Sequence, residues 1–254
     1  MAKPTAGTIK SNIQAQDAAV FNQAQQRPSG LDVFEGDLAQ AIAGAWSDVE
    51  SGLAIATIPV TGGASPVGGP LSGGVATLLP GGMAASASFS SISAKFSSSF
   101  PDGATDGVKA LVSAIAQALG QAFTVWVSGY QASLVAADGS AAWVGPPTPA
   151  PGPWTGGSIQ AAPIASGSSA GDSGMTAASL EAGIGNAADP SKLKQNNNTL
   201  QPALSALISA VAKGFETTWS QWKTQTKISG GTGTGIASPP AGTVVGAVAS
   251  PTIA

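Results

Sequence analysis

Three sixteen-residue windows of this chain carry the same amphipathic pattern, and that recurrence constrains the fold more than any other feature. LAQAIAGAWSDVESGL starts at Leu38, LVSAIAQALGQAFTVW at Leu111 and LISAVAKGFETTWSQW at Leu207. They align without a gap. Four residues on stand Ile42, Ile115 and Val211; eight on, Trp46, Leu119 and Phe215; fifteen on, Leu53, Trp126 and Trp222. Twelve on, Phe123 and Trp219 match, while Glu50 breaks the pattern in the first copy. Steps of four, four and three or four trace one face of an α-helix. A narrow polar stripe keeps step with it: Gln40, Gly44, Asp48 and Ser51; Ser113, Gln117, Gln121 and Thr124; Ser209, Lys213, Thr217 and Ser220.

The second window lies inside 28 residues without a charge, Ala110 to Ala137. A membrane-spanning helix of this sequence would put Gln117 and Gln121 into hydrocarbon, at a cost of several kcal/mol for each unpaired group. The expectation is a core helix, and no membrane partner.

The flanks repeat as well. A shorter apolar periodicity precedes each window: Ile9, Ile13, Val20 and Phe21; Phe89, Ile92, Phe96 and Phe100; Leu180 and Ile184. A proline- and glycine-rich stretch follows each, at 54–82, 138–168 and 228–254, and together these hold 13 of the 18 prolines. Such density excludes helix and disfavours a central strand. Yet the stretches carry Val75, Leu78, Ile159, Val244 and Val245 and almost no charge, unlike a solvated linker. They read as extended arms lying on a surface. The predicted fold is therefore mainly α, with three tandem repeats, each a short helix, a long amphipathic helix and an extended Pro/Gly-rich arm. The units tile the chain as 1–82, 83–168 and 169–254. Asp32 or Asp37 is expected to cap the first long helix, and Gly230 and Gly231 to end the third.

Composition narrows the function classes. The chain has no cysteine and no histidine. It can therefore form no disulfide and no thiolate nucleophile, and it lacks the usual neutral-pH general base and the commonest transition-metal ligand. Charged residues make up 9 % of 254, against roughly a quarter in ordinary soluble domains, and the net charge is −3 without like-charge blocks. Specific nucleic-acid binding is not expected. The opening MAKPTAGTIKSNIQAQD has lysines but no apolar stretch after them, so no secretory signal is read there and synthesis in the cytoplasm is the expectation.

Several motifs imitate chemistry. GDSGM at 171–175 matches the nucleophile loop of chymotrypsin-type proteases, with Ser173 as nucleophile, and GSSAG at 167–171 fits a nucleophile elbow around Ser169. Neither serine has a histidine to take its proton. GGTGTG at 230–235 has the glycines of a phosphate loop, but follows a helix rather than preceding one. NNT at 197–199 reads as helix capping. The acidic residues show no dyad or calcium-loop spacing. No catalytic residue, cofactor, metal site or small-molecule substrate is assigned, and the chain is expected not to be an enzyme. Trp143 and Trp154 lie in an arm with no local core, which makes them the candidate interface anchors.

Sparse charge, absent cysteine, duplicated units and uncharged arms resemble the minor structural proteins of tailed bacteriophages and phage-like contractile particles. That resemblance implies a non-enzymatic component of a capsid, neck, tail or baseplate, located in the virion. Its partners would be other particle proteins and copies of itself. The alternatives are a bacterial surface or secretion-associated Gly/Ala/Pro-rich protein and a membrane-active amphipathic-helix protein.

Replacing Phe123 or Trp126 with alanine is expected to cost about 3–5 kcal/mol if the stripe faces a core. Urea unfolding of both variants checks this.

Overall fold

In the computed structural model each window is helical, and each long helix runs almost directly into a β-strand. Residues 3–20, 30–64, 69–99, 106–141, 150–188, 200–238 and 243–254 are described. The helices are α1 (Ala6–Val20), α2 (Leu31–Gly52), α3 (Ile92–Ser99, after a 3-10 turn at Phe89–Ser91), α4 (Asp106–Gly129), α5 (Ala177–Ala187) and α6 (Leu200–Gln225). The strands are β1 (Leu53–Ile55), β2 (Ile58–Gly63), β3 (Gly69–Pro70), β4 (Ser72–Leu78), β5 (Met83–Ala85), β6 (Tyr130–Ala141), β7 (Gly152–Pro163), β8 (Ser168–Ser169), β9 (Lys227–Ser238), β10 (Thr243–Ala249) and β11 (Thr252–Ile253).

This overturns the expectation of a mainly α protein with extended arms. About 54 % of the structure is helix and 33 % strand, so the fold is α+β. The proline- and glycine-rich stretches form a closed antiparallel barrel in the order β10-β2-β4-β6-β7-β9, with β9 pairing back to β10. Each third of the chain supplies one hairpin. Because outgoing strands β2, β6 and β9 alternate with returning strands β4, β7 and β10, all three outgoing strands run the same way. Their far ends therefore point away from the helices. Each hairpin is also clamped at its base by a short antiparallel pair: Leu53 with Ala85, Tyr130 with Ser169, and Ile228 with Ile253. The thirds are not stacked as an array. They share one barrel, one helical layer and one hydrophobic core.

Proline and glycine tolerate this barrel for a positional reason. Within its strands, prolines occupy the second residue (Pro59, Pro153) or the last one (Pro163), where a missing donor costs least. The glycines make room for Trp154, which is fully buried. A Cβ on Gly157 or Gly233 would collide with its indole ring, one on Gly139 with its Nε1, and one on Gly246 would press against the ring while running into the Thr234 carbonyl. One large ring among glycines, with Val60, Ala76, Leu134, Ala136 and Val244 also buried, fills a six-stranded barrel that is too narrow for many large side chains. Strand alternation is regular where glycine is sparse. In β6, Tyr130, Ala132, Leu134 and Ala136 are buried, while Gln131, Ser133 and Val135 are exposed.

The long helices carry the repeat, but a turn away from the gap-free alignment. Leu53, Tyr130 and Lys227 mark where each gives way to strand. Counting back from them sets Phe34, not Leu38, level with Leu111 and, to within one residue, Leu207. The columns then become Phe34, Leu111, Leu207; Leu38, Ile115, Val211; Ile42, Leu119, Phe215; Trp46, Phe123, Trp219; and Val49, Trp126, Trp222. All are apolar and all but half-buried Leu207 are buried. Glu50 leaves the stripe, so its apparent exception disappears. Trp46 and Trp219 meet with ring centroids 5.9 Å apart, Phe123 and Trp219 at 6.2 Å, and Trp126 stands edge-on to Trp219 at 4.7 Å. Each short helix fills a groove between two long ones: α1 between α6 and α2, α3 between α2 and α4, and α5 between α4 and α6. Each presents a fully buried pair one turn apart toward that groove, namely Ile9 and Ile13, Ile92 and Phe96, and Leu180 and Ile184.

Helix α4 is long and apolar enough to cross a membrane by length and composition, but 61 % of its apolar window is buried inside the protein. Helix α2 begins after Gly30, whose φ is 89°, and no side chain caps it; Asp32 sits in its first turn. Gly230 and Gly231 lie within β9 rather than at a helix end, with φ of 74° and 85°.

Trp154→Ala is expected to destabilise the fold by about 3–5 kcal/mol, because glycine walls have no side chains with which to refill the space. Gly233→Val should also destabilise it, by steric conflict with the same ring. Chemical denaturation of both variants measures this.

Candidate functional site

The candidate anchors part company. Trp143 lies outside the described residues. Trp154 sits in the barrel interior of its own chain, and its strand β7 pairs with β6 and with β9 from the last third. Its Nε1 has no hydrogen-bond partner. Alternation alone did not reveal this, because bulges at Gly157 and Ile159 break the period of two.

The serine motifs belong to a polar knot joining the second and third thirds. Ser169 Oγ donates to the Trp126 carbonyl at 2.7 Å and accepts from Gly171 N at 3.0 Å. Asp172 accepts from Ser169 N at 2.7 Å, from Trp126 Nε1 at 3.0 Å and from Lys223 Nζ at 3.2 Å. The Ser169 proton is thus committed to a carbonyl, and its neighbour acid to structural donors. Ser173 is exposed in the following 3-10 turn, where its carbonyl accepts from Thr176 Oγ1. A loop at 171 must pass close to α4: a Cβ on Gly171 would run into the Trp126 backbone. Gly171 of the protease-like motif therefore has a packing reason, whereas Gly174 has room for a side chain. The GGTGTG stretch is β9, with Gly233 against Trp154, and NNT at 197–199 lies outside the described residues.

Two carboxylates thus receive tryptophan N–H groups. Trp126 reaches Asp172, and Trp222 Nε1 donates to Glu50 Oε1 at 2.7 Å. Glu50 is buried and its other oxygen has no partner. Burial holds its pKa above the usual glutamate range, opposed by the Trp222 hydrogen bond and the Lys3 charge. Burial and the nearby Asp172 charge likewise push the Tyr130 hydroxyl up; it donates to the Ile164 carbonyl at 2.8 Å.

Two clefts open between a long helix and the segment preceding its own short helix. One, of about 550 Å³, is lined by Ser88, Ser90, Ser113, Gln117, Gln121 and Thr124. The other, of about 480 Å³, is lined by Asp172, Thr176, Glu216, Thr217, Ser220 and Lys223, with Trp219 at its wall. With Leu111 and Leu207 aligned, Gln121 corresponds to Thr217 and Thr124 to Ser220, so these are equivalent places in two thirds of the chain. The polar stripe read from sequence lines the first cleft with Ser113, Gln117, Gln121 and Thr124 and the second with Thr217 and Ser220, while Ser209 donates to Glu181 instead. In the first third the corresponding Ser47 accepts from Lys3 Nζ at 3.3 Å. These clefts offer hydroxyls, amides and one half-exposed ion pair. Among the described residues no three His, Cys, Asp or Glu side chains gather as a metal site.

Comparison with protein-family models, curated sequences and solved structures finds no match.

Glu50→Gln tests the buried carboxylate. A glutamate whose pKa is raised on folding binds more protons folded than unfolded, so stability falls as pH rises from the ordinary carboxylate range through the folded pKa. The amide keeps an acceptor for Trp222 and removes that dependence. The variant should be more stable than the parent at neutral pH, with the gap closing as pH falls below the ordinary glutamate range. Thermal unfolding across this range checks it.

Proposed function

We propose that this chain is a non-enzymatic structural component of a virion or phage-like particle, acting through its outer surfaces on neighbouring subunits. The observation that carries the reading is the filled, nearly uncharged barrel. Its interior is occupied by Trp154 and small aliphatic side chains, and its six strands include only Asp138 and Lys227 as charged residues. A barrel built this way is a rigid body for contact rather than a container for a ligand. The sparse charge of the whole chain supports the same reading, since a surface poor in charge has little to keep it apart from other proteins. Arm exchange has no part in it, because the stretches that would have served as arms are barrel strands.

Mass spectrometry of purified particles assembled from the encoding genome tests the proposal. The chain should be present at a fixed copy number after density-gradient banding and high-salt washing. Its absence from particles while abundant in the same lysate, or recovery in the cell envelope instead, would overturn the reading.

A further inference from the structure

The first third of the chain holds a cation where the other two thirds have a cleft. Each short helix follows a hydroxyl cap: Thr5 Oγ1 accepts from Thr8 N at 3.1 Å, Ser88 Oγ from Ser90 N at 3.1 Å and Thr176 Oγ1 from Ser179 N at 3.4 Å. Each cap stands four residues before the first member of its buried pair, Ile9, Ile92 or Leu180. The three segments are therefore in register, and the residue two before the cap is Lys3, Ser86 or Gly174. The Lys3 ammonium crosses to α2 and donates to Ser47 Oγ at 3.3 Å. Ser86 and Gly174 have too little side chain to cross to α4 and α6, and there the two clefts stand open.

The cleft of the last third is the one fitted to a cation. Ser220 stands in α6 where Ser47 stands in α2, and its hydroxyl has no hydrogen-bond partner among the described residues. One turn before it, half-buried Glu216 lines the same cleft, and its carboxylate makes no hydrogen bond or ion pair among the described residues. Its counterparts are Ala43 in α2 and Gly120 in α4, so this carboxylate belongs to the last third alone. The other two charges of the lining, Lys223 and Asp172, hold each other at 3.2 Å. Lys223 lies two turns beyond Glu216, about 10 Å along the helix. With that pair neutralised, Glu216 leaves the cleft one negative charge. Met175 and Trp219 form part of its wall and give alkyl methylenes an apolar bed. The second third's cleft repeats the hydroxyls but has no charged side chain in its lining. We propose that the cleft beside Glu216 binds the ammonium of a lysine side chain presented by a neighbouring protein. Glu216 is its counter-ion and Ser220 its hydrogen-bond acceptor, as Ser47 is for Lys3 within the chain. The source of the lysine rests on the contact role proposed above; the ammonium site rests on the cleft itself.

Amide chemical shifts of the isotope-labelled full chain, titrated with Nα-acetyl-lysine methylamide, test the proposal. Saturable shifts should centre on Thr176, Glu216, Thr217 and Ser220, with none around Gln117, Gln121 and Thr124. The Nε-acetylated derivative keeps the methylenes and loses the charge, so it should not saturate the site. Glu216→Gln should melt with the parent, while its affinity for the lysine derivative should fall about tenfold, the loss of one charge-assisted hydrogen bond. Ser220→Ala, at an exposed hydroxyl, gives a second reading and should weaken binding without changing the melt. Shifts shared by both clefts, equal binding of the acetylated derivative, unchanged affinity in either variant, or no saturation would each overturn the proposal. Butylammonium bound more tightly than the lysine derivative would make the ligand a free amine and overturn a protein-borne lysine. Saturable binding by a chain absent from purified particles would leave the ammonium site standing and remove the particle role.

Discussion

The meeting of Trp46, Phe123 and Trp219 at the centre of the helical layer is the contact on which the rest of the structure depends. These rings hold the three long helices apart by the width of large side chains, and the short helices fill the grooves left between them. Each long helix then launches an outgoing strand, and outgoing strands sit two positions apart in the barrel. The helical layer passes directly into the barrel at Tyr130 and Lys227, and by way of the clamp strand β1 at Leu53. Smaller side chains at these positions would draw the helices together and misplace all three hairpins.

At the other end of the molecule the packing problem is reversed. Six strands enclose little volume, and Trp154 takes much of it, so glycine is required where its ring lies. The glycine content that first suggests flexibility is here the negative image of one indole. Between the two layers the polar groups break the threefold pattern. Asp172 accepts from both Trp126 and Lys223, whereas Trp222 donates to the buried, half-satisfied Glu50. The ion pair itself is partly exposed and adds little, roughly 0–1 kcal/mol. The tryptophan hydrogen bonds are the more consequential part, since each settles a buried donor that would otherwise cost about 1–3 kcal/mol.

Helices were legible because their period is local: Ile115, Leu119, Phe123 and Trp126 announce one face whatever surrounds them. The alignment of the first copy was off by one turn, because a helical stripe looks almost the same after a shift of four residues. Only the helix-to-strand junction removes that ambiguity. The strands were harder. Segment 130–136 does alternate, but 152–159 and 228–237 are interrupted by bulges at glycines, and prolines near strand ends imitate the signature of an unpaired arm. Of the candidate site, the polar stripe of Gln117, Gln121 and Thr124 was visible as a pattern. Its role as the lining of a cleft was not, since that requires the position of Ser88 and Ser90.

The sequence alone determined the three amphipathic helices, the shorter helices before them and the exclusion of histidine- and cysteine-based chemistry. These follow from residue identity and near-neighbour spacing, which need no knowledge of distant contacts. Tertiary structure decided the barrel, the burial of Trp154 and the use of Ser169 and Asp172 as a clasp. Each of these depends on which strand pairs with which and in what register. That choice is made by hydrogen bonds and side-chain contacts between residues scores of positions apart, and no local pattern encodes it.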